Sequence, residues 1–237
     1  MIRVYLHVAG MHHYREIVAE LVGAIHGSGL YDEAETLTAC TVGDVDLLHL
    51  MGERWRVIKG GSLEQYEYPT LRLIHTDAKS QPDVKYLYLH TKGVSRPRLR
   101  ASRDAWRRYM TRFLITEWRH CVDLLDRCDT VGTELRLPPQ NSPAHYAGNF
   151  WWANGSHLAQ LPAPGHKFVW RGERFGAETW LLESTPNASC YSFHQFNFQF
   201  FNRVIPEYMY HGAQVANGFR TAGEAGIPEV LPQLPSP

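Results

Sequence analysis

Apolar and polar residues alternate through Ile2-Arg-Val-Tyr-Leu-His-Val8, a period of two built from β-formers that predicts a strand. The period then lengthens. Tyr14, Ile17, Val18, Leu21, Val22 and Ile25 recur at helical spacing, and Gly27 or Gly29 ends the run. Leu37–Val42 and Trp55–Ile58 read as the second and third strands, the latter closed by Gly60 and Gly61. Pro69 suits the first turn of a helix that carries Leu71, Leu73 and Ile74, and Tyr86-Leu-Tyr-Leu89 predicts a fourth strand. One long amphipathic helix is expected from Ser102 to Arg127, with Trp106, Tyr109, Met110, Phe113, Leu114, Trp118, Cys121 and Leu125 facing inward. Thr130–Gly132 and Asn149–Ala153 read as strands, and Gly155–Leu161 and Ala177–Leu182 as short helices.

Strands that alternate with helices predict an α/β fold: a mostly parallel sheet covered by helices on both faces, one domain over residues 1–212. From Gly212 the chain turns rich in Gly, Pro and Ala, so residues 213–237 read as an extended tail and not a domain. Ligands of such sheets bind outside the carboxyl ends of the strands. That rule selects Ala9–His13, Gly43–Asp46, Lys59–Gly61, His90–Ser95 and Glu134–Arg136.

Composition narrows the chemistry. The 237 residues carry 24 basic and 24 acidic side chains, a formal net charge of zero, which argues against a nucleic-acid partner or an anionic membrane surface. Hydrophobic residues make up 44%, enough to bury a substantial core. None of Cys40, Cys121, Cys128 and Cys190 forms a CxxC pair, so a zinc ribbon is not expected, and reduced thiols in a cytoplasm are the simple account. No apolar stretch is long enough to span a bilayer, and no basic segment precedes a signal-length apolar run. A cytoplasmic protein is expected, and the sequons at Asn154 and Asn187 then read as chance matches.

Four segments carry candidate chemistry. After the fourth strand comes His90-Thr91-Lys92-Gly93: Gly93 permits a tight turn, Lys92 is a point charge suited to a diphosphate, and His90 suits a phosphate or a metal. The competing account is a turn followed by a solvated basic loop with Arg96, Arg98, Arg100 and Arg103. In His145-Tyr-Ala-Gly148-Asn149-Phe-Trp151-Trp152, a strand would aim Phe150 and Trp152 one way and Asn149 and Trp151 the other. Gly148 would let a ligand approach the backbone, although a heavy aromatic core strand has the same pattern. Glu178, read as lying in the first turn of a helix after Gly176, is either a dipole-favoured helix-start acid or a fixed general base. His194 suits metal or phosphate, or a structural role among aromatics.

Taken in order over residues 2–195, several elements resemble short GT-A-type glycosyltransferase-like proteins of bacterial polysaccharide loci. They are Tyr5-Leu-His, Gly29-Leu-Tyr, Tyr66-Glu67 with Pro69-Thr-Leu, Tyr88-Leu-His-Thr-Lys-Gly, Trp106-Arg with Tyr109-Met, Asp129-Thr-Val-Gly, Gly148-Asn-Phe-Trp-Trp-Ala, Leu161-Pro and Ala177-Glu-Thr-Trp. The resemblance implies a GT-A-like, Rossmann-like fold and a transferase that moves a sugar from a nucleotide-diphosphate donor, of the UDP type, to a hydroxyl acceptor such as a glycan. It implies donor contacts from His7, Ala9, His90, Thr91, Lys92 and Gly93, acceptor contacts from His145, Gly148, Asn149, Trp151 and Trp152, and Glu178 as the catalytic carboxylate. Where that family's fourth strand ends in Asp-x-Asp around Mn²⁺ or Mg²⁺, this chain has His90-Thr91-Lys92; Lys92 can neutralise a diphosphate in the metal's place, and His90 and His194 are the candidate ligands if a metal is used. Two other readings stay open: a carbohydrate- or nucleotide-binding protein that keeps the fold without turnover, and a phosphoryl or nucleotidyl transferase, which the lack of a Walker-type glycine loop disfavours.

Overall fold

The computed structural model describes residues 1–47, 49–98, 101–138, 143–165, 173–194, 204 and 218–223. An eight-stranded, mostly parallel sheet forms its centre, in the order β10-β9-β5-β8-β4-β1-β2-β3. Strands β1 (Ile2–Ala9), β2 (Thr36–Val42), β3 (Trp55–Gly61) and β4 (Lys85–His90) are parallel neighbours. Strand β8 (Trp151–Asn154) runs antiparallel between β4 and β5 (Thr130–Thr133), and β9 (Ser189–Phe193) lies parallel to β5. Strand β10 (Gly218–Thr221) closes the far edge, so the sheet reaches beyond the expected domain end at residue 212; residues 224–237 of the expected tail lie outside the described residues. A separate hairpin pairs β6 (Leu135–Arg136) with β7 (His145–Tyr146).

Strict alternation along the strands splits the core into two layers. Val4, Leu6, Val8, Leu87, Leu89 and Trp152 face one layer with the apolar side of α1 (Tyr14–Gly27), α4 (Ala101–Thr111) and α5 (Trp118–Leu124). Tyr5, Tyr86, Tyr88 and Trp151 face the other, under α3 (Tyr68–Ser80), α6 (Gly155–Gln160) and α7 (Glu173–Thr179); α2 (Leu30–Glu33) is a single turn leading into β2. Because side chains alternate, His7 and His90 continue the tyrosine row of their strands onto the α3 side.

Four expectations change. The helix expected from Ser102 to Arg127 breaks into α4, a wide π-helical turn at Arg112–Thr116, and α5. Side chains take up the carbonyls there: the Trp152 indole donates to Leu114 O (2.8 Å) and the Cys121 thiol to Phe113 O (3.3 Å), which favours a local interruption of the i→i−4 ladder. The strand expected from Asn149 starts at Trp151, because Asn149 adopts the left-handed conformation (φ 55) right after Gly148 (φ 97). The last helix runs over Glu173–Thr179 and not Ala177–Leu182, so Glu178 sits at its carboxyl end. Strand β9, and with it the parallel partner of β5, was not anticipated.

Candidate active site

Strand order reverses beside β1: β2 and β3 lie on one side, and β4, the next strand in the chain, on the other. Crevices form at such reversals, outside the carboxyl ends of the strands. In the β1–β4 register, His7 stands opposite His90 at this point.

The turn after β4 is held firmly. Thr91 N donates to His7 O (3.1 Å), Thr91 Oγ1 accepts from Ala9 N (3.1 Å), and Val94 N returns to Thr91 O (3.2 Å). Gly93 supplies φ 96, which the turn needs and a side chain would strain. The buried Arg107 guanidinium clamps the turn from α4, donating to Lys92 O (3.1 Å) and to both Glu20 oxygens (3.2 and 2.6 Å), with Asp104 at 3.0 Å. Ala9 and Thr91, expected to touch a donor, are thus struts joining two strands. Arg107 was missed in the sequence because its carboxylate partner Glu20 lies on a different helix.

The centre of the polar cluster is Glu67, at the amino end of α3. Its Oε2 accepts from the Tyr88 hydroxyl (2.5 Å) and from Asn149 Nδ2 (2.6 Å). Its Oε1 faces His90 Nδ1 at 3.6 Å, while His90 Nε2 donates to Gly148 O (2.9 Å). That bond fixes the His90 tautomer and leaves Nδ1 as a lone pair turned toward a carboxylate. Burial holds the His90 imidazole down to about 3, assisted by the Lys92 charge, and burial likewise lowers His7 to about 4; His7 Nδ1 is paired with Thr70 (2.8 Å). Burial raises Tyr88, and the Glu67 charge adds to it, so the phenol remains a donor. Sequence reading quoted Glu67 only within a motif; its partners lie on β4 and before β8, out of reach of any local pattern.

Three groups around this frame lack partners among the described residues. The Lys92 side chain is 9% exposed and its ammonium rests over the Trp106 ring at 4.4 Å, without a hydrogen bond or a carboxylate at ion-pair distance. Burial lowers its pKa against the attraction of Glu178 and Glu67, and Arg174 and Arg103 act in the same direction as burial. Glu178 makes no hydrogen bond or ion pair and lies in the last turn of α7, where the helix dipole disfavours an anion. That removes the helix-start account of its presence. His145 donates through Nδ1 to Pro143 O (2.9 Å), which leaves Nε2 open; Glu178, Arg136 and Lys92 all act on its charge.

The other expected residues divide. Asn149 belongs to the site through Glu67, and it accepts from the Trp151 indole (3.1 Å). Trp151 is 1% exposed beneath Tyr88 and Trp180, and Trp152 is wholly buried in the opposite layer, so neither offers a ring face to a sugar. Packing and backbone conformation both require Gly148: its φ is 97, and a Cβ there would stand 2.4 Å from Met110 Sδ and 3.1 Å from Trp106 Cζ2. His194 lies apart from His90, against Tyr109 and Phe113, with its Nδ1 3.3 Å from the Tyr109 hydroxyl. Among the described residues no three His, Cys, Asp or Glu side chains gather to hold a metal ion. Among the same residues no helix is long and apolar enough to cross a membrane.

The sequence model of a family described as a domain of unknown function (DUF8361) matches residues 56–201, and the chain belongs to that family. No curated protein matches it in sequence. Among solved structures it is distantly similar to Rv0371c from Mycobacterium tuberculosis H37Rv (14% identity, TM-score 0.38, 72% of this chain and 80% of that chain). It is also distantly similar to a 4-diphosphocytidyl-2C-methyl-D-erythritol synthase (12% identity, TM-score 0.37, 76% of this chain and 85% of that chain).

Proposed function

We propose that this member of the DUF8361 family is a GT-A-like glycosyltransferase that moves a sugar from a nucleoside-diphosphate donor, with uridine the first nucleoside to test, to a hydroxyl acceptor. One observation carries the reading: Lys92 holds a buried ammonium with no anion at ion-pair distance among the described residues, at the carboxyl edge of the sheet where the strand order reverses. A buried cation costs several kcal/mol unless an opposite charge meets it, and folding alone gives no reason to keep one. A diphosphate supplies that charge, and its nucleoside reaches over the ends of β1 and β2. Lys92 then receives the negative charge that grows on the leaving diphosphate as the sugar departs. Glu178 supplies an anion on the sugar side, opposite in charge to Lys92. Sugar recognition falls to Glu178, His145 and Arg174, because the tryptophans of β8 are covered.

A thermal-shift panel of nucleoside diphosphates, nucleotide sugars and free sugars, followed by mass spectrometry of incubated nucleotide sugars, tests this. A matching nucleotide at 100-fold its Kd adds about 2.7 kcal/mol of stability. Stabilisation by a nucleotide sugar with transfer or slow hydrolysis is the expected result. Stabilisation without turnover would favour a binding protein, and no shift with any nucleotide would remove the donor site.

A further inference from the structure

We infer that His145, and not Glu178, takes the proton from the acceptor hydroxyl, with Glu178 as a positioning residue that stabilises the imidazolium; this rests on the transferase reading. Among the described residues, His13, His75, His90, His145 and His157 each donate a ring N–H to a backbone carbonyl. Four of the five donate through Nε2. Of these five only His145 donates through Nδ1, to Pro143 O at 2.9 Å, and its Nε2 has no partner among the described residues. A backbone carbonyl on Nδ1–H is how a histidine base is held in the tautomer that presents Nε2 as a lone pair.

The place of the ring supports the assignment. His145 lies on β7, against which α7 packs, and α7 carries Glu178 in its last turn. The charged groups that act on the ring are Glu178 from α7, Arg136 from the paired strand β6 and Lys92 from the turn after β4. The two cations and burial keep it neutral before reaction, and Glu178 favours the protonated state afterwards. Lys92, the diphosphate group of the proposal, thus acts on the charge of His145, the base.

The acceptor O–H gives its proton to His145 Nε2 while an oxygen lone pair forms the bond to the sugar's anomeric carbon. The bond from that carbon to the diphosphate oxygen breaks, and its electron pair leaves with the nucleoside diphosphate beside Lys92. The imidazolium then releases its proton to solvent.

The test compares pH–rate profiles of parent, His145→Gln and Glu178→Gln on the nucleotide sugar found to turn over, with ¹⁵N imidazole NMR of the parent. The parent should lose rate as pH falls through a value below 6.5. His145→Gln should keep the nucleotide-induced thermal shift, lose about 10²–10⁴-fold in turnover and lose that acid limb. Glu178→Gln should keep the limb but move it to lower pH, because an anion that favoured the imidazolium is gone. NMR should find the His145 proton on Nδ1. A limb that survives in His145→Gln, a limb abolished by Glu178→Gln, or a proton on Nε2 overturns the assignment while the transferase reading stands. No turnover by the parent chain on any nucleotide sugar overturns both.

Discussion

Replacing Lys92 by Met should move stability and affinity in opposite directions. The Met stem is unbranched like that of Lys and still covers Trp106, so packing is largely kept. Two terms change in the unliganded protein. The cation–π contact, worth about 0.5–2 kcal/mol, is lost; the burial of an ammonium without an anion at ion-pair distance, a penalty that after relaxation is still several kcal/mol per ion, is relieved. The second is the larger here, since Lys92 is 9% exposed and its ammonium has no hydrogen bond among the described residues. A net gain of about 1–2 kcal/mol follows, which for a chain of this size raises Tm by roughly 2–8 °C. Affinity for a nucleoside diphosphate should fall by about 1.5–3 kcal/mol, the worth of one charged hydrogen bond, or about 10- to 150-fold in Kd; the bare nucleoside should bind as before. Differential scanning fluorimetry and isothermal calorimetry measure the two quantities on the same samples. If the substitution lowers Tm and leaves diphosphate binding intact, Lys92 is a structural residue and the reasoning fails.

Stability should also fall on acidification before the carboxylates titrate. His7 and His90 are buried neutral, at about 4 and about 3 against an ordinary 6.5, so the unfolded chain binds protons that the folded chain refuses. Stability therefore rises with pH between those values and is lost as pH drops below 6.5, by about 2 kcal/mol per histidine at pH 5; urea midpoints equal at pH 6.5 and 5 would contradict this. Glu67→Gln should cost under about 1 kcal/mol, because the amide oxygen still accepts from Tyr88 and Asn149 while the amide N–H can turn to His90 Nδ1, whereas Glu67→Leu strands two buried donors and should cost about 2–4 kcal/mol. Equal costs would mean that His90 does not present a lone pair to Glu67. Gly148→Ala should destabilise by about 1–3 kcal/mol through its φ of 97 and the clash with Met110. In a Met110→Ala background the same change should cost less but not nothing, and a double-mutant cycle reads the difference.

The half of the sheet nearest the amino terminus was legible because each of its elements buries one face. Val4, Leu6 and Val8, or Ile17, Leu21 and Ile25, write their period directly into the sequence. What stayed hidden depends on partners distant in the chain. The wide turn at Arg112–Thr116 has a Trp152 indole on one of its carbonyls, and a helical period in the 102–127 stretch cannot register that. Asn149 sits in an aromatic run that reads as strand; the left-handed corner it forms with Gly148 is set by Glu67 and Met110 across the crevice. Ser189–Phe193 becomes a strand between β5 and β10 though it begins Ser-Cys-Tyr-Ser, too polar to announce itself. Glu178 was read as a helix start and lies at a helix end, because the apolar Ala177–Leu182 run packs as the end of α7 and the turns after it.

The polar groups at the carboxyl edge of the sheet fall into two kinds, and the division itself bears on function. One kind is fully engaged: Glu67 with Tyr88 and Asn149, His90 with Gly148, His7 with Thr70, Thr91 with Ala9, Arg107 with Glu20. These bonds tie α1, α3, β1, β4 and the Gly148–Asn149 corner into a rigid frame, as a buried polar network does when every member is satisfied. The other kind, the Lys92 ammonium, the Glu178 carboxylate and His145 Nε2, has a cation, an anion and a lone pair with no described partner. Stability alone selects against that combination, and Lys92 and Glu178 act on each other's charge without forming an ion pair. That the two remain apart within one electrostatic field is what a site requires if its ligand is to bring an anion for Lys92 and a hydroxyl for His145. A nucleoside-diphosphate sugar and an alcohol together present both.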